Sequence, residues 1–375
     1  MIGTKGIIYN LIYHLTIRNN QVHLYSSDFL LDREMVTTVK QAGGLVTIFR
    51  TWIAFPEFFV TPSIFLKCGS LKQYDIIHLH LYRSFQNIVI SFFAIIFHIP
   101  FVVQAEGSLL TFFQRPYLKF IFDSMYGHFM IRKSAGIIAS SSRERDQFIS
   151  IGVPAEKIHI VPFGINAELR VNQPMNSRFW ERFDINTPYI LFLGRIDPIK
   201  GLDILIDAYA RLSIDHPIHL VIAGPRTQYQ MELELQVQTL DITDKVHFPG
   251  PLYGPEKYSA YHDAEFLVLP SRHDDFGLVV AEAMSCGTPI IVTDQCGSAD
   301  LAREGGGIVC ECSSQSIFQA MVHMLKVEEK RETYGKNGKL LMKENYTWEK
   351  ITERLEGVYS NVVKGWDHNN IEASK

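Results

Sequence analysis

Residues 189–212 read YILFLGRIDPIKGLDILIDAYARL. The apolar run Tyr189–Leu193 suits a buried strand, the loop to Gly201 is polar and glycine-punctuated, and Leu202–Leu212 is patterned as a helix. Strand, loop and helix in that order form the repeating unit of a parallel α/β sheet. The same alternation extends in both directions. Toward the C-terminus, strands are expected at His219–Ala223, Val246–Phe248, Phe266–Leu269, Pro289–Val292 and Gly307–Val309. Helices are expected between and after them at Tyr229–Leu240, Pro255–His262, Leu278–Cys286, Gln315–Leu325 and Trp348–Val363. Toward the N-terminus, strands fall at Val22–Tyr25, Ile76–His80, Phe101–Gln104, Gly136–Ala139 and His159–Val161. Helices fill Ile7–Arg18, Gln86–Phe97, Tyr117–Lys133 and Arg143–Ile151. Pro162-Phe163-Gly164-Ile165-Asn166 closes the first series and reads as a linker.

Composition supports two cores. The chain has 375 residues, 47% hydrophobic and 20% charged, which excludes a disordered, collagen-like or disulfide-scaffold protein. The net charge of -4 gives no overall pull toward nucleic acid, but it is unevenly spread. Residues 1–170 hold 16 Lys+Arg against 11 Asp+Glu, leaving 20 against 29 for the rest. The five cysteines are odd in number and scattered, which points to a reducing cytosol. Cys310 and Cys312 are too close for an ordinary zinc pair, so no metal site is expected. The apolar run Ile88–Val103 falls short of the roughly 20 residues of a membrane span, and Pro100 splits it. It reads as a buried helix followed by a core strand.

Two loops carry candidate chemistry. In the first, Gly194, Arg195, Lys200 and Gly201 set two cations five residues apart at a helix start, an arrangement suited to phosphate oxygens. A solvated loop with incidental charges is the competing reading. The second, PSRHDDFGLVVAEAMSCG at 270–287, follows the strand Phe266–Leu269. Phe276, Gly277 and Leu278 would present backbone N–H groups at the helix start. Glu282 lies among apolar neighbours and needs hydrogen-bond partners, either a ligand diol or a structural group.

GRxxxxKG after a strand, followed about 70 residues later by PSxxDxFGxxxxEAMxxG, resembles the large retaining glycosyltransferase family 4. Tyr74–His80, Gly152–Asn166, Val221–Gly224 and Tyr346-Thr347-Trp348 extend the likeness along nearly the whole chain. The resemblance implies a GT-B fold, with two Rossmann-like domains facing across a cleft. The N-terminal, acceptor-binding domain would be 1–165, the donor-binding domain 166–347, and a helix at 348–364 would cross back to the first. The implied reaction moves a hexose-type sugar from a nucleoside-diphosphate sugar to a glycan or lipid-linked acceptor, retaining configuration, with no metal or other cofactor. Arg195 and Lys200 would bind the diphosphate, at a typical cost of about 3–4 kcal/mol of barrier when such a group is lost. Glu282 would hold the ribose hydroxyls and Asp274 the donor sugar, with backbone contacts from Gly194, Phe276, Gly277 and Leu278.

The chain departs from that pattern in three places. The E-x7-E signature is Asp274-x7-Glu282, one methylene shorter. Gln104–Ser108 carries Glu106 where the family usually has His before Gly. The resemblance implies contact with the donor sugar or the reacting centre there, so Glu106 is a catalytic candidate that accepts hydrogen bonds but brings negative charge; a structural Glu at a strand end is the competing reading. Counting back from the strand at Val22 puts Ile2-Gly3 at the family's first glycine loop, so Gly3 is a donor-site candidate and the family's preceding central strand has no counterpart among the expected elements. A start upstream of Met1 is one explanation and a compromised sheet the other.

Outside those motifs, His78 and His80 point to one strand face, opposite Leu79, and are expected in the core or acceptor cleft rather than on a metal. The aromatic stretch Phe55–Phe65, in the basic half, fits either core packing or a peripheral contact at the inner face of the cell membrane. Trp348, Ile351, Leu355 and Val358 share one helical face. Two rival readings remain: a catalytically inactive nucleotide-sugar binder, and another GT-B enzyme such as a sugar-nucleotide epimerase.

Overall fold

The computed structural model describes residues 4–29, 31–55, 58–109, 116–166 and 188–373. It divides into two compact units, one of Met1–Gly164 with Trp348–Lys375 and the other of Ile165–Thr347. The strands are β1 (His23–Ser27), β2 (Leu45–Phe49), β3 (Ile53–Phe55), β4 (Phe58–Val60), β5 (Ile77–His80), β6 (Phe101–Gln104), β7 (Gly136–Ala139) and β8 (Ile158–Ile160) in the first unit. The second unit holds β9 (Tyr189–Leu193), β10 (His219–Ala223), β11 (Val246–Gly250), β12 (Phe266–Leu269), β13 (Ile290–Thr293) and β14 (Gly307–Cys310).

The second unit is one parallel sheet in the order β11-β10-β9-β12-β13-β14. Relabelled by sequence this is 3-2-1-4-5-6, the doubly wound order of dinucleotide-binding folds. Its strands are apolar on both faces because helices cover both, so Tyr189–Phe192, Leu220–Ala223 and Phe266–Leu269 are all buried. From β9 the chain winds outward to β10 and β11 on one side, then returns to β12 on the other. The carboxyl ends of β9 and β12 therefore flank the topological switch point, where such sheets take their ligands.

The first unit is less regular. Its sheet falls into two parallel pieces, β1-β2 and β5-β6-β7-β8, with no ladder joining them among the described residues, beside an antiparallel β3-β4 hairpin. The first described element is the helix Thr4–Ile17. The expected helix at 117–133 runs from Pro116 to Lys133 but contains a π-turn at Asp123–Gly127, where Asp123 turns inward to meet Arg83 at 3.0 and 2.6 Å. The run 88–103 divides as expected into the helix Phe85–Ile96 and the buried strand β6. No helix among the described residues is long and apolar enough to cross a membrane.

Sequence patterning missed β2, the helix Arg33–Gln41 and the helix Glu328–Asn345. The last is strongly polar and has no apolar stripe. It packs through Gly335 against the Gly287 carbonyl and through Gly338 against Met284, contacts that hydrophobic periodicity does not register.

Candidate donor site at the switch point

The loop after β9 is built from the inside out. Asp197 caps the short turn Pro198–Lys200 by accepting from the Ile199 N–H at 3.1 Å. Gly201 closes the turn at φ +66°, and a Cβ there would lie 2.2 Å from the Pro270 carbonyl oxygen. Only glycine combines that backbone angle with that approach. The loop after β12 fastens itself to this one. The Arg272 N–H donates to the Ile199 carbonyl at 2.8 Å, and its guanidinium reaches the Pro198 carbonyl at 2.7 Å and both Asp203 oxygens at 2.7 and 2.6 Å. Partial burial pushes the Asp203 carboxyl up, but the bonds from Arg272 outweigh it and hold the group below the ordinary range.

This clamp brings together residues 74 apart in sequence: Lys200 Nζ donates to Asp274 Oδ2. Asp274 is held in turn, with its Oδ1 accepting from the Phe276 N–H at 3.3 Å and its carbonyl accepting from the Gly297 N–H at 2.8 Å. Gly194 sits beside them, its N–H bonded to the Ala223 carbonyl at 3.0 Å. Arg195 is exposed and makes no ion pair among the described residues. Phe276 is buried, and Gly277, at φ +72°, precedes the helix Leu278–Cys286. The first N–H groups of that helix have no intrahelical acceptor. Beside Gly277 lies the hydroxyl of Ser298, fully buried and without a hydrogen-bond partner among the described residues. Two cations, a helix N-terminus and an unused buried hydroxyl at a switch point are groups whose chemistry would suit a phosphate-bearing ligand.

Glu282, one turn into the same helix, is 5% exposed. Its carboxylate accepts from Lys257 Nζ at 2.8 Å and from the Tyr261 hydroxyl at 2.9 Å, both on the helix Gly254–Asp263. Burial, then the Glu282 charge, push the Tyr261 phenol well above its usual range. The partners are thus a lysine and a tyrosine, and a ribose diol would have to share the carboxylate with them. Neither partner was signalled by sequence. The i,i+4 pair Lys257–Tyr261 lies on one helix face, but nothing local reports a carboxylate 25 and 21 residues ahead. Arg272, Asp203 and Ser298 were missed for the same reason.

Glu106 lies in the other unit, two residues beyond β6, paired with His80. Gly3 lies outside the described residues. Among the described residues no group of three or more His, Cys, Asp or Glu side chains could hold a metal ion. Burial pushes the Cys296 and Cys310 thiols each up to about 12, so neither has thiolate character.

Comparison with known proteins shows what the chain is similar to. The profile of Glycosyl transferases group 1 matches residues 176–341, and that of Glycosyltransferase Family 4 matches residues 3–169. The D-inositol 3-phosphate glycosyltransferase 1 of Catenulispora acidiphila is 30% identical over 244 residues, 61% of this chain and 58% of that protein. The mannosylfructose-phosphate synthase of Agrobacterium fabrum is 31% identical over 189 residues, 47% of this chain and 42% of the relative. The chain thus spans about half the length of such relatives. Among solved structures, HepE of Anabaena in complex with UDP and glucose superposes with a TM-score of 0.74 at 20% identity, covering 95% of this chain and 96% of that one.

Proposed function

Because the chain belongs to the group 1, family 4 glycosyltransferases of GT-B fold, we propose that it moves a hexose-type sugar from a nucleoside-diphosphate sugar to a glycan or lipid-linked acceptor, with retention and without a metal. The observation that carries the reading is the clamp of two loops at the β9/β12 switch point, which sets Lys200 against Asp274 beside the helix N-terminus at Gly277. Charge appearing on the departing diphosphate is offset by Arg195, Lys200 and that helix end, so the step needs no added cation. Asp274 orients the donor sugar while its other bonds fix it. Glu282 meets the ribose, with Lys257 keeping its charge balanced. Both carboxylates of the Asp274-x7-Glu282 pair are already engaged by lysines, which argues against a covalent intermediate and for departure and attack on one face of the sugar.

On the acceptor side, the reading extends to a cytoplasmic enzyme resting on the membrane through its first unit. Leu66 is 85% exposed and Tyr117 84%, and Phe65, Phe120, Met125, Lys67, Arg132 and Lys133 are exposed as well. Of the Phe55–Phe65 stretch they include only its end.

The test is a thermal-shift panel of UDP-, GDP- and ADP-sugars, with UDP-glucose tried first because HepE holds UDP and glucose. A ligand at a hundred times its dissociation constant adds about 2.7 kcal/mol of stability. Lys200→Ala should then lower transfer by about two to three orders of magnitude. Donor binding without turnover on any acceptor would instead support an inactive binder, and conversion of the donor with no acceptor would support an epimerase.

A further inference from the structure

The helix at Pro116–Lys133 has an outer face that a surface helix ordinarily lacks. Positions 117, 120, 121, 124, 125, 128, 129 and 132 recur at the i, i+3, i+4, i+7 spacing of one helical stripe, and all are exposed. Apolar side chains fill most of that stripe: Tyr117, Phe120, Ile121, Met125 and Phe129, with Met125 80% exposed and Phe120 68%. The opposite stripe, Asp123, Gly127, Met130 and Ile131, is buried. An amphipathic helix normally shows its polar side to water, so five large apolar groups on the outer side call for a partner.

Loose packing does not explain the exposure, because the inner side is fixed. Asp123 is held by Arg83, and the Tyr126 hydroxyl donates to the Ile88 carbonyl at 3.1 Å and lies 2.9 Å from the Ser91 hydroxyl. The Tyr82 hydroxyl leaves no room for a side chain at Gly127. Lys157 Nζ closes the far end, donating to the Ile131 and Arg132 carbonyls at 2.9 Å each. Rolling the stripe inward would break these bonds and leave the buried Asp123 unpaired. The helix Phe85–Ile96, to which Tyr126 is joined, adds Phe92 and Ile96 to the exposed apolar groups. Charge then selects the partner. The sole acid in 116–133 is the buried Asp123, while the stripe ends in Arg132 and Lys133, both exposed. Nothing acidic on the stripe offers a second copy of the chain a counter-charge for those two cations, whereas anionic headgroups do. Aromatic and aliphatic groups on one helix face with basic residues at its end suit the interfacial layer of a negatively charged leaflet.

We propose that this helix docks the chain on a phospholipid bilayer bearing anionic headgroups, the stripe from Tyr117 to Phe129 entering the interfacial layer and Arg132 and Lys133 meeting the headgroups. This rests on the membrane reading given above, to which it adds the docking element and the charge of the lipid. Arg83, paired to Asp123 on the inner side, also donates to the Ser108 and Leu109 carbonyls, so the docking helix and the loop after β6 are tied into one body.

The experiment is co-sedimentation of the full chain with vesicles of phosphatidylcholine alone and of equal parts phosphatidylcholine and phosphatidylglycerol. The wild-type chain should bind the mixed vesicles about tenfold more tightly or better, and added salt should remove most of that difference. Phe120→Ser combined with Met125→Ser should weaken binding to the mixed vesicles by about tenfold or more, because interfacial binding scales with the apolar area buried. Arg132→Gln combined with Lys133→Gln should weaken it by a similar factor and leave the neutral vesicles unaffected. All four side chains are exposed and the Lys157 bonds go to main-chain carbonyls, so melting temperatures should stay within about 2 °C of the parent. Ile214→Ser removes an equally exposed apolar group from the second unit and should have no effect. Equal wild-type binding to the two kinds of vesicle would overturn the anionic assignment. Undiminished vesicle binding in the Phe120/Met125 variant would overturn the helix while leaving the membrane reading, since another surface then makes the contact. No vesicle binding by the wild-type chain would overturn both. A dimer in analytical ultracentrifugation that the Phe120/Met125 variant abolishes would give the stripe to a second copy and overturn the docking as well. Nucleotide-sugar binding is read separately by the thermal-shift panel, so the transferase reading stands or falls independently of the vesicles.

Discussion

Lys257 illustrates how much a single residue can do for a buried carboxylate. It is nearly buried, and Glu282, its partner, is equally so. Removing one member of such a pair leaves an uncompensated buried charge, worth about 3–5 kcal/mol. Lys257→Met is therefore expected to lower the unfolding free energy read by urea titration by an amount in that range, whereas Tyr261→Phe should cost only about 1 kcal/mol. A Lys257→Met chain as stable as its parent would mean that other groups satisfy Glu282. The positions of Arg195, Lys200, Asp274 and Glu282 in the fold were legible in the sequence because a loop motif fixes their spacing relative to a strand and a helix. Lys257, Tyr261 and Arg272 were not, because their contacts are made across the fold and leave no local pattern.

Elements rather than residues decide whether the two loops meet. Gly201→Ala places a Cβ against the Pro270 carbonyl at a left-handed backbone angle, so the loops after β9 and β12 must part. Lys200 then leaves Asp274, and nucleotide-sugar affinity and transfer should both fall while the far end of the sheet is undisturbed. Unchanged calorimetric binding in that variant would contradict the clamp. At the opposite, amino-terminal end, His219 at the start of β10 stacks on His247 of β11 at 4.9 Å between centroids, with ring nitrogens 2.7 Å apart. Burial lowers both pKa values, and for His247 the proximity of His219 adds to it, although Asp244 opposes the shift in each. The unfolded chain then binds more protons than the folded one once the pH drops below the ordinary value of 6.5. The pair's contribution is complete above that pH and is lost as the pH falls through the depressed values. Urea titrations at pH 7.5 and 5.5 should show the stability dropping at the lower pH, and His247→Gln should reduce the difference. Strands such as β9, β10 and β12 were readable because both faces are apolar. β2 was not, since it is an edge strand with Leu45 exposed, and neither was the polar helix Glu328–Asn345.

At the scale of the molecule, the chain leaves its first unit at Gly164 and rejoins it at Trp348, with the whole of Ile165–Thr347 inserted between. The rejoining helix is bound to the end of the opening one, where Arg18 and Asn20 donate to the two oxygens of Glu356, and farther along it Trp366 Nε1 donates to the His98 carbonyl just past the helix Phe85–Ile96. Trp348 is the anchor. It is buried, stacks on His14 at 5.9 Å and 16°, and leaves so little room at Gly164 that a Cβ there would lie 2.5 Å from the indole. Ile7, Leu11, Phe163, Ile351 and Leu355 line the same pocket. The spacing of Trp348, Ile351 and Leu355 was readable in sequence; the glycine that admits the indole was not, because closeness in space leaves no mark on residue type. Truncating a buried Trp to Ala costs about 3–5 kcal/mol. Trp348→Ala should therefore destabilise the unit formed by 1–164 and 348–375 by that amount, and Gly164→Val should do so from the other side of the contact. Because the groups proposed to hold the nucleotide all lie in 165–347, UDP binding by calorimetry should survive in both variants at temperatures where the parent is folded. Loss of UDP binding alongside the loss of stability would mean that the inserted unit does not hold its site on its own, and retained stability would remove Trp348 as the anchor.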